Sequence, residues 1–261
     1  MTQEQFATDE QGQAAGAGGA GQQYDAIGAR WEDARSLPTV HPERTSFLEL
    51  VGDVSGRDVL DLACGDGFYT REFKRRGAAR VVGADISESM TEAGLAAERV
   101  EPLGVEYVTA DAAGLPDIGG FDLVTAAYLL NYARDAGNLT AMCRAAGERL
   151  RPGGRFLGVT QNPRFSFTGP EPAPYGFTFS PLEATAFGTR IRVTAALTPP
   201  IHFETTLIRA DVYEAAFRAA GFTEVAWVPL RVPEDAVARF GAEYWEGFAQ
   251  NPPIVMFAAS R

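Results

Sequence analysis

Two periods of apolar residues alternate along this chain. Val59, Leu60 and Leu62 make a short apolar run, the mark of a parallel strand covered on both faces. Gly65 and Gly67 follow, and helical periodicity resumes over 68–76, closed by Gly77. The unit then repeats. Residues 81–86 predict a second strand with a helix from about Ser87, 105–108 a third strand and 121–126 a fourth. Leu139, Met142, Cys143, Ala146 and Leu150 keep helical spacing, so that helix lays an apolar stripe on the sheet. Arg151-Pro152-Gly153-Gly154 reads as its end, with a proline stop and glycines free to take positive φ, before a fifth strand over 155–159.

The rhythm changes over 161–209, where no helix is evident. Tyr175, Phe177 and Phe179 alternate, as do Ile191, Val193 and Leu197, then Ile201, Phe203, Thr205 and Leu207. Alternation predicts a small antiparallel sheet inserted after the fifth strand, roofing whatever lies beneath. Its aromatic face either stacks on a flat ligand or packs the sheet onto the domain. Asp211 reads as the cap of a helix through Ala220, closed by Gly221. Residues 222–228 and 253–259 predict the last two strands, with a helical insert between them carrying Trp245 and Phe248 inward. Residues 1–23, rich in Gln, Gly and Ala, lack the apolar surface to offset ordering entropy and are expected to be a disordered tail. Residues 24–261 are then one domain.

Composition narrows the partners. A net charge of −11 argues against nucleic acid or an anionic membrane surface. There is no run of about 18 apolar residues to span a bilayer, and no basic-then-apolar leader is expected. The 2 cysteines, Cys64 and Cys143, sit in a turn and on an apolar helix face, which suits a reducing cytoplasm rather than a disulfide framework.

The candidate chemistry begins at the glycine turn. Gly65 and Gly67 allow close approach of a ligand, and a nucleotide-like cofactor is the default occupant of such a strand–turn–helix. The dinucleotide pattern G-x-G-x-x-G fails at Thr70. Asp61 instead stands four residues before Gly65, giving D-x-x-x-G-x-G. Asp85, 20 positions beyond Gly65 at the end of the second strand, is placed to accept both ribose hydroxyls or to cap the next helix. With Asp111 after the third strand and the Leu-Arg-Pro-Gly-Gly exit, this order resembles the class I S-adenosylmethionine-dependent methyltransferases. The resemblance runs from Tyr24 to Arg261 and is most specific over 59–160.

That resemblance implies an α/β fold: a doubly wound, mostly parallel seven-stranded sheet, Rossmann-like, with a final antiparallel strand and the β roof. It implies S-adenosyl-L-methionine as cofactor, S-adenosyl-L-homocysteine as product and a small-molecule acceptor. Gly65 and Gly67 would line the methionine half of the cofactor, Asp85 would hold the ribose and Asp111 the exocyclic amine of adenine, with Asp61, Ala63, Ile86, Met90, Ala112 and Ala127 as further cofactor-binding residues. Tyr24 would either bond the cofactor's carboxylate or anchor the core. Tyr128, Asn131, Tyr175, Phe177 and Phe179 are the expected acceptor pocket. Asp/His spacing for a catechol-type Mg²⁺ site is missing, so no metal is expected. The amino-methylating Asn-Pro-Pro-Tyr signature is also missing, which argues against nucleic-acid adenine as acceptor. A narrower similarity, over Tyr24-Asp25-Ala26-Ile27-Gly28, Leu130-Asn131-Tyr132-Ala133 and Thr198-Pro199-Pro200, is to N-methyltransferases of the toxoflavin-biosynthesis type, which methylate ring nitrogens. O- or C-methylation of another natural-product intermediate, or a cofactor binder that lost methyl transfer, stay open.

Catalytic candidates are Tyr128 and His202. If His202, Glu204 and Thr206 look into the pocket, His202 is a potential base. If they face solvent, Glu204 pairs with Arg190 or Arg192, a link worth about 0–1 kcal/mol.

Overall fold

The computed structural model describes Asp25 and residues 28–261, so the expected tail over 1–23 and the Tyr24 contact lie outside the described residues. A 3₁₀ segment, Gly28–Ser36, leads into α1 (Val40–Val51). Strand–helix units follow: β1 (Asp58–Leu62), α2 (Phe68–Arg75), β2 (Arg80–Asp85), α3 (Glu88–Val100), β3 (Glu106–Thr109), β4 (Phe121–Ala127), α4 (Ala136–Glu148) and β5 (Leu150–Gln161). After the roof come α5 (Ala210–Ala219), β9 (Glu224–Val228), α6 (Glu234–Phe240), α7 (Glu246–Gln250) and β10 (Ile254–Ser260).

The 7-stranded sheet has the order β3-β2-β1-β4-β5-β10-β9. Only β10 runs antiparallel to its neighbours β5 and β9. Successive residues of β1 enter different cores. Val59 packs with Val81, Leu123 and Phe73, while Leu60 and Leu62 pack with Val82, Val124 and Phe156. Burial on both faces explains the unbroken apolar run. The chain winds outward from β1 to β3, then returns to β4. Loops leaving β1 and β4 therefore diverge, and a crevice opens at the carboxyl edge of the sheet.

Two local expectations are corrected, and one helix is added. The Pro-Gly-Gly run does not end the helix: α4 stops at Glu148, and Leu150–Gln161 is already strand. Leu150 pairs with Phe121, and the register shifts before Arg155 meets Leu123, with Gly153 at φ 77 inside the irregularity. Asp211 is not the cap of α5. Arg209 holds that position, and Asp211 in the first turn accepts its guanidinium at 2.7 Å. Helix α1 has no counterpart in the sequence reading, because Glu43 and Ser46 lie among its buried residues and interrupt the apolar stripe.

The roof is a 3-stranded sheet of β6 (Phe177–Ala184), β7 (Gly188–Ala195) and β8 (Ile201–Ile208). Its inner face packs Ile191, Val193, Ile201 and Phe203 against Ala34, Leu37 and Phe165. A polar clip fixes it to the domain: Asn131 Nδ2 donates to Thr205 Oγ1 at 2.9 Å, and that hydroxyl donates to the Asn131 carbonyl at 2.9 Å.

Tyr107 on β3 lies where a Cβ on Gly67 or Gly94 would stand, 2.0 and 2.5 Å from its ring or hydroxyl. Its buried Oη has no partner among the described residues. Tyr107→Phe should therefore stabilise the fold by about 1 kcal/mol, since an unsatisfied buried hydroxyl costs roughly that much. Thermal unfolding checks it, and a lower melting temperature would show that the hydroxyl has a partner. Among the described residues, no helix is long and apolar enough to cross a membrane.

Candidate active site

The crevice between β1 and β4 is the mouth of a cavity of about 270 Å³. Its floor is the row of loops at the carboxyl ends of β3, β2, β1 and β4, and the roof closes it from above. Asp61, Ala63, Gly65, Asp85, Ile86, Met90, Asp111, Ala112 and Ala127 all line it.

Asp85 organises this cradle. One carboxylate oxygen accepts the Gly65 amide at 2.8 Å and the other the Ser87 amide at 2.9 Å. The side chain thus ties the glycine turn of β1 to the helix following β2. Ser87 caps α3 through the Met90 amide and, with Ser89, donates to Asp25. Burial raises the Asp85 carboxyl above its ordinary value, offset by the amide bonds it accepts. Ile86 keeps 49% of its surface exposed beside it, an apolar face on offer to a flat ring. Asp111 accepts the Ala113 amide at 2.8 Å.

Gly65 at φ 55 lines the cavity, and a Cβ there would meet no protein atom within 4 Å. The space beside that glycine is left for a ligand. Gly67 is different. It does not line the cavity, and its side-chain position faces Tyr107. Glycine is needed there by φ 89 and by the tyrosine behind it.

Asp61 is 2% exposed and accepts the hydroxyls of Thr70 and Thr125, each at 2.7 Å. It therefore fastens α2 and β4 to β1. Burial raises its carboxyl to about 6, against which the two hydroxyls act.

The acceptor side is lined by Tyr128, Tyr132, Gln161, Phe177, Phe179 and Phe203. Two expectations do not hold there, for Asn131 and Tyr175, and of the two readings of His202 the solvent-facing one is found. Asn131 is 0% exposed and belongs to the roof clip, outside the cavity lining. Tyr175 lies in the core of the C-terminal insert, stacked on Trp245 at 5.5 Å, with its hydroxyl between the Tyr244 carbonyl and the Phe248 amide. Its alternation with Phe177 and Phe179 is broken because Gly176, at φ 99, turns the chain between them. His202 is on the outer face of the roof, at 2.9 Å from Thr194, beside Glu204, which pairs with Arg192 at 3.1 Å and Arg190 at 3.8 Å. His202→Ala should cost less than about tenfold in turnover, against 10²–10⁴ for loss of a base; a hundredfold loss would place the ring in the site.

The sequence reading missed Glu43, Tyr69, Arg35 and Gln161, all on the cavity wall. Glu43 stands on α1, a helix that no continuous apolar stripe announces in the sequence. Arg35, on the 3₁₀ segment, pairs with Asp66 of the glycine turn and lies 4.6 Å over the Phe68 ring. Gln161 ends β5, is 4% exposed and has an Oε1 without a partner among the described residues. Among those residues, no group of three or more His, Cys, Asp and Glu could hold a metal ion.

Residues 59–154 match the family model described as methyltransferase domain. The ubiquinone biosynthesis O-methyltransferase of Acinetobacter baylyi is 29% identical over 161 residues, which are 57% of this chain and 66% of that protein. The match thus spans just under two thirds of that relative's length. Among solved structures, an S-adenosylmethionine-dependent methyltransferase from Mesorhizobium loti has a TM-score of 0.61 at 20% identity, covering 84% of this chain and 98% of that one. A DhpI–SAM–HEP complex has a TM-score of 0.60 at 19% identity, covering 94% of this chain and 100% of the other. Residues 59–154 thus resemble a methyltransferase domain, within a fold shared with S-adenosylmethionine-dependent methyltransferases of known structure.

Proposed function

We propose that this protein moves the methyl group of S-adenosylmethionine to a ring nitrogen of a small planar heterocycle in the specialised metabolism of the cytoplasm. One observation carries the reading: the cradle opens directly into a compartment walled by Phe177, Phe179, Phe203 and Tyr132, with the unpartnered Oε1 of Gln161 buried at its edge. Aromatic walls suit a flat ring, and a buried carbonyl oxygen asks for an N–H or O–H donor.

The cofactor supplies an already activated methyl, so the protein's task is alignment and exclusion of water. Asp85 would hold the ribose and Asp111 the exocyclic amine of adenine, while Ile86 packs on the ring. The roof strands would fix the acceptor's plane and keep water out. Such positioning supplies about 7–11 kcal/mol of barrier lowering.

The Acinetobacter relative is named as an O-methyltransferase, which motivates a second reading: transfer to a hydroxyl of an aromatic acceptor. Formation of S-adenosylhomocysteine with lumazine (a ring N–H) and with a catechol (ring hydroxyls) separates them. The methylated atom is then located by NMR. An O-methyl product would replace the ring-nitrogen reading. Cofactor binding without turnover of any acceptor in a wider panel would favour a binder that lost methyl transfer.

A further inference from the structure

Glu43 comes from α1, an element outside the glycine cradle, yet it lines the same cavity. The residue is 9% exposed, and its two oxygens are taken by phenols: Tyr128 donates to Oε2 at 2.6 Å and Tyr69 to Oε1 at 2.9 Å. No ion pair to it exists among the described residues. The nearby cations are engaged elsewhere, Arg35 with Asp66 and Arg44 with Glu72. Burial pushes its carboxyl up, against the two phenol bonds. A carboxylate can accept about four hydrogen bonds, so acceptor capacity remains after the two phenols. A buried acid without a cation is expensive unless a ligand supplies one.

Two further observations place that ligand. Tyr128 holds φ at 63, a left-handed backbone uncommon for a bulky residue, at the end of β4. In this conformation its phenol reaches Glu43. Tyr69 lies in the first turn of α2, just beyond the glycine turn. Glu43 is therefore held between the loops that leave β1 and β4. The proposed adenine and ribose contacts, Asp111 and Asp85, follow β3 and β2. A cofactor laid along this row puts its methionine end at β1 and β4.

We propose that Glu43, held by Tyr69 and Tyr128, is the anionic contact for a cationic centre at the methionine end of S-adenosylmethionine, its sulfonium or its α-ammonium. The inference rests on the cofactor assignment above and on the orientation just described.

Calorimetry on the full chain tests it, comparing wild type with Glu43→Gln for three ligands. S-adenosylmethionine carries both cations, S-adenosylhomocysteine only the ammonium, and 5′-methylthioadenosine neither. The expected result is a loss of about tenfold or more for S-adenosylmethionine, the usual size for one charged hydrogen bond, with 5′-methylthioadenosine within about twofold. If S-adenosylhomocysteine weakens equally, the ammonium is the partner; if it holds, the sulfonium is. An equal loss for all three ligands would make Glu43 a prop of the cradle and overturn the proposal, as would unchanged affinity for S-adenosylmethionine. Should Glu43→Gln fail to fold by circular dichroism, the same comparison is made on Glu43→Asp, which keeps the charge but withdraws it. Selective weakening of the charged ligands supports the contact, and uniform or absent weakening rejects it. Failure of wild type to bind either charged ligand would instead strike the cofactor assignment.

Discussion

Asp85→Ala is expected to weaken S-adenosylhomocysteine binding about a hundredfold while leaving the protein folded. Two ribose hydroxyls donating to one carboxylate contribute roughly 1.5 kcal/mol each, the low end for charged hydrogen bonds, and about 1.4 kcal/mol is a factor of ten. The substitution also frees the Gly65 amide that the carboxylate accepts at 2.8 Å, so the glycine turn loses its tie to β2. The residue sits at a strand end beside the cavity, where a shorter side chain leaves room for water. Calorimetric titration gives the affinity and circular dichroism the fold. Unchanged affinity would remove Asp85 from the cofactor contact.

Asp61→Asn should stabilise the free protein by about 3 kcal/mol above neutral pH and by little near pH 4. The Asp61 carboxyl rises from 3.8 to about 6 on folding, chiefly because it is buried, with Asp85 adding repulsion. One pKa unit is worth about 1.4 kcal/mol, so ionising the group inside the fold costs about 3 kcal/mol relative to the unfolded chain. The sign follows from the raised value. The stabilising share of the protonated acid is complete below about 3.8 and is lost as the pH climbs through about 6. Asparagine avoids that loss while its carbonyl and amide still meet the hydroxyls of Thr70 and Thr125. Denaturant unfolding of both proteins at pH 4.5 and 7.5 measures the gap; a gap that does not widen at the higher pH contradicts the buried-acid account.

Retaining an acid at Asp61 at such a cost fits its position. It joins β1, β4 and α2 where the cavity opens, so the geometry of the glycine turn depends on it. Glu43, lining the same cavity, shows the same pattern: a buried acid held by hydroxyls rather than by a cation. Stability is spent at both acids, and both border the place where a charged ligand is expected.

Much of the cradle was legible in the sequence because its signals are local. The run from Val59 to Leu62, the φ demand at Gly65 and the 20-residue step to Asp85 are fixed by one strand, one turn and the next strand. Period-2 alternation likewise announced the roof, since a sheet with one buried face must alternate. Tertiary structure decided what those signals could not reach. Gly67 shares its motif with Gly65 but answers to Tyr107, 40 residues later, rather than to the cavity. Tyr175 keeps step with Phe177 on paper, yet Gly176 turns it into a different core. Asn131 follows the loop after β4 like a pocket residue, but the approach of β8 makes it a clip. Glu43 reaches the site only because α1 brings it to Tyr69 and Tyr128, beyond the ends of β1 and β4, and no spacing along the chain announces those neighbours. Backbone conformation is written in neighbouring residues. The partners of a buried polar side chain are chosen by packing between distant segments, and that information exists only once the chain has folded.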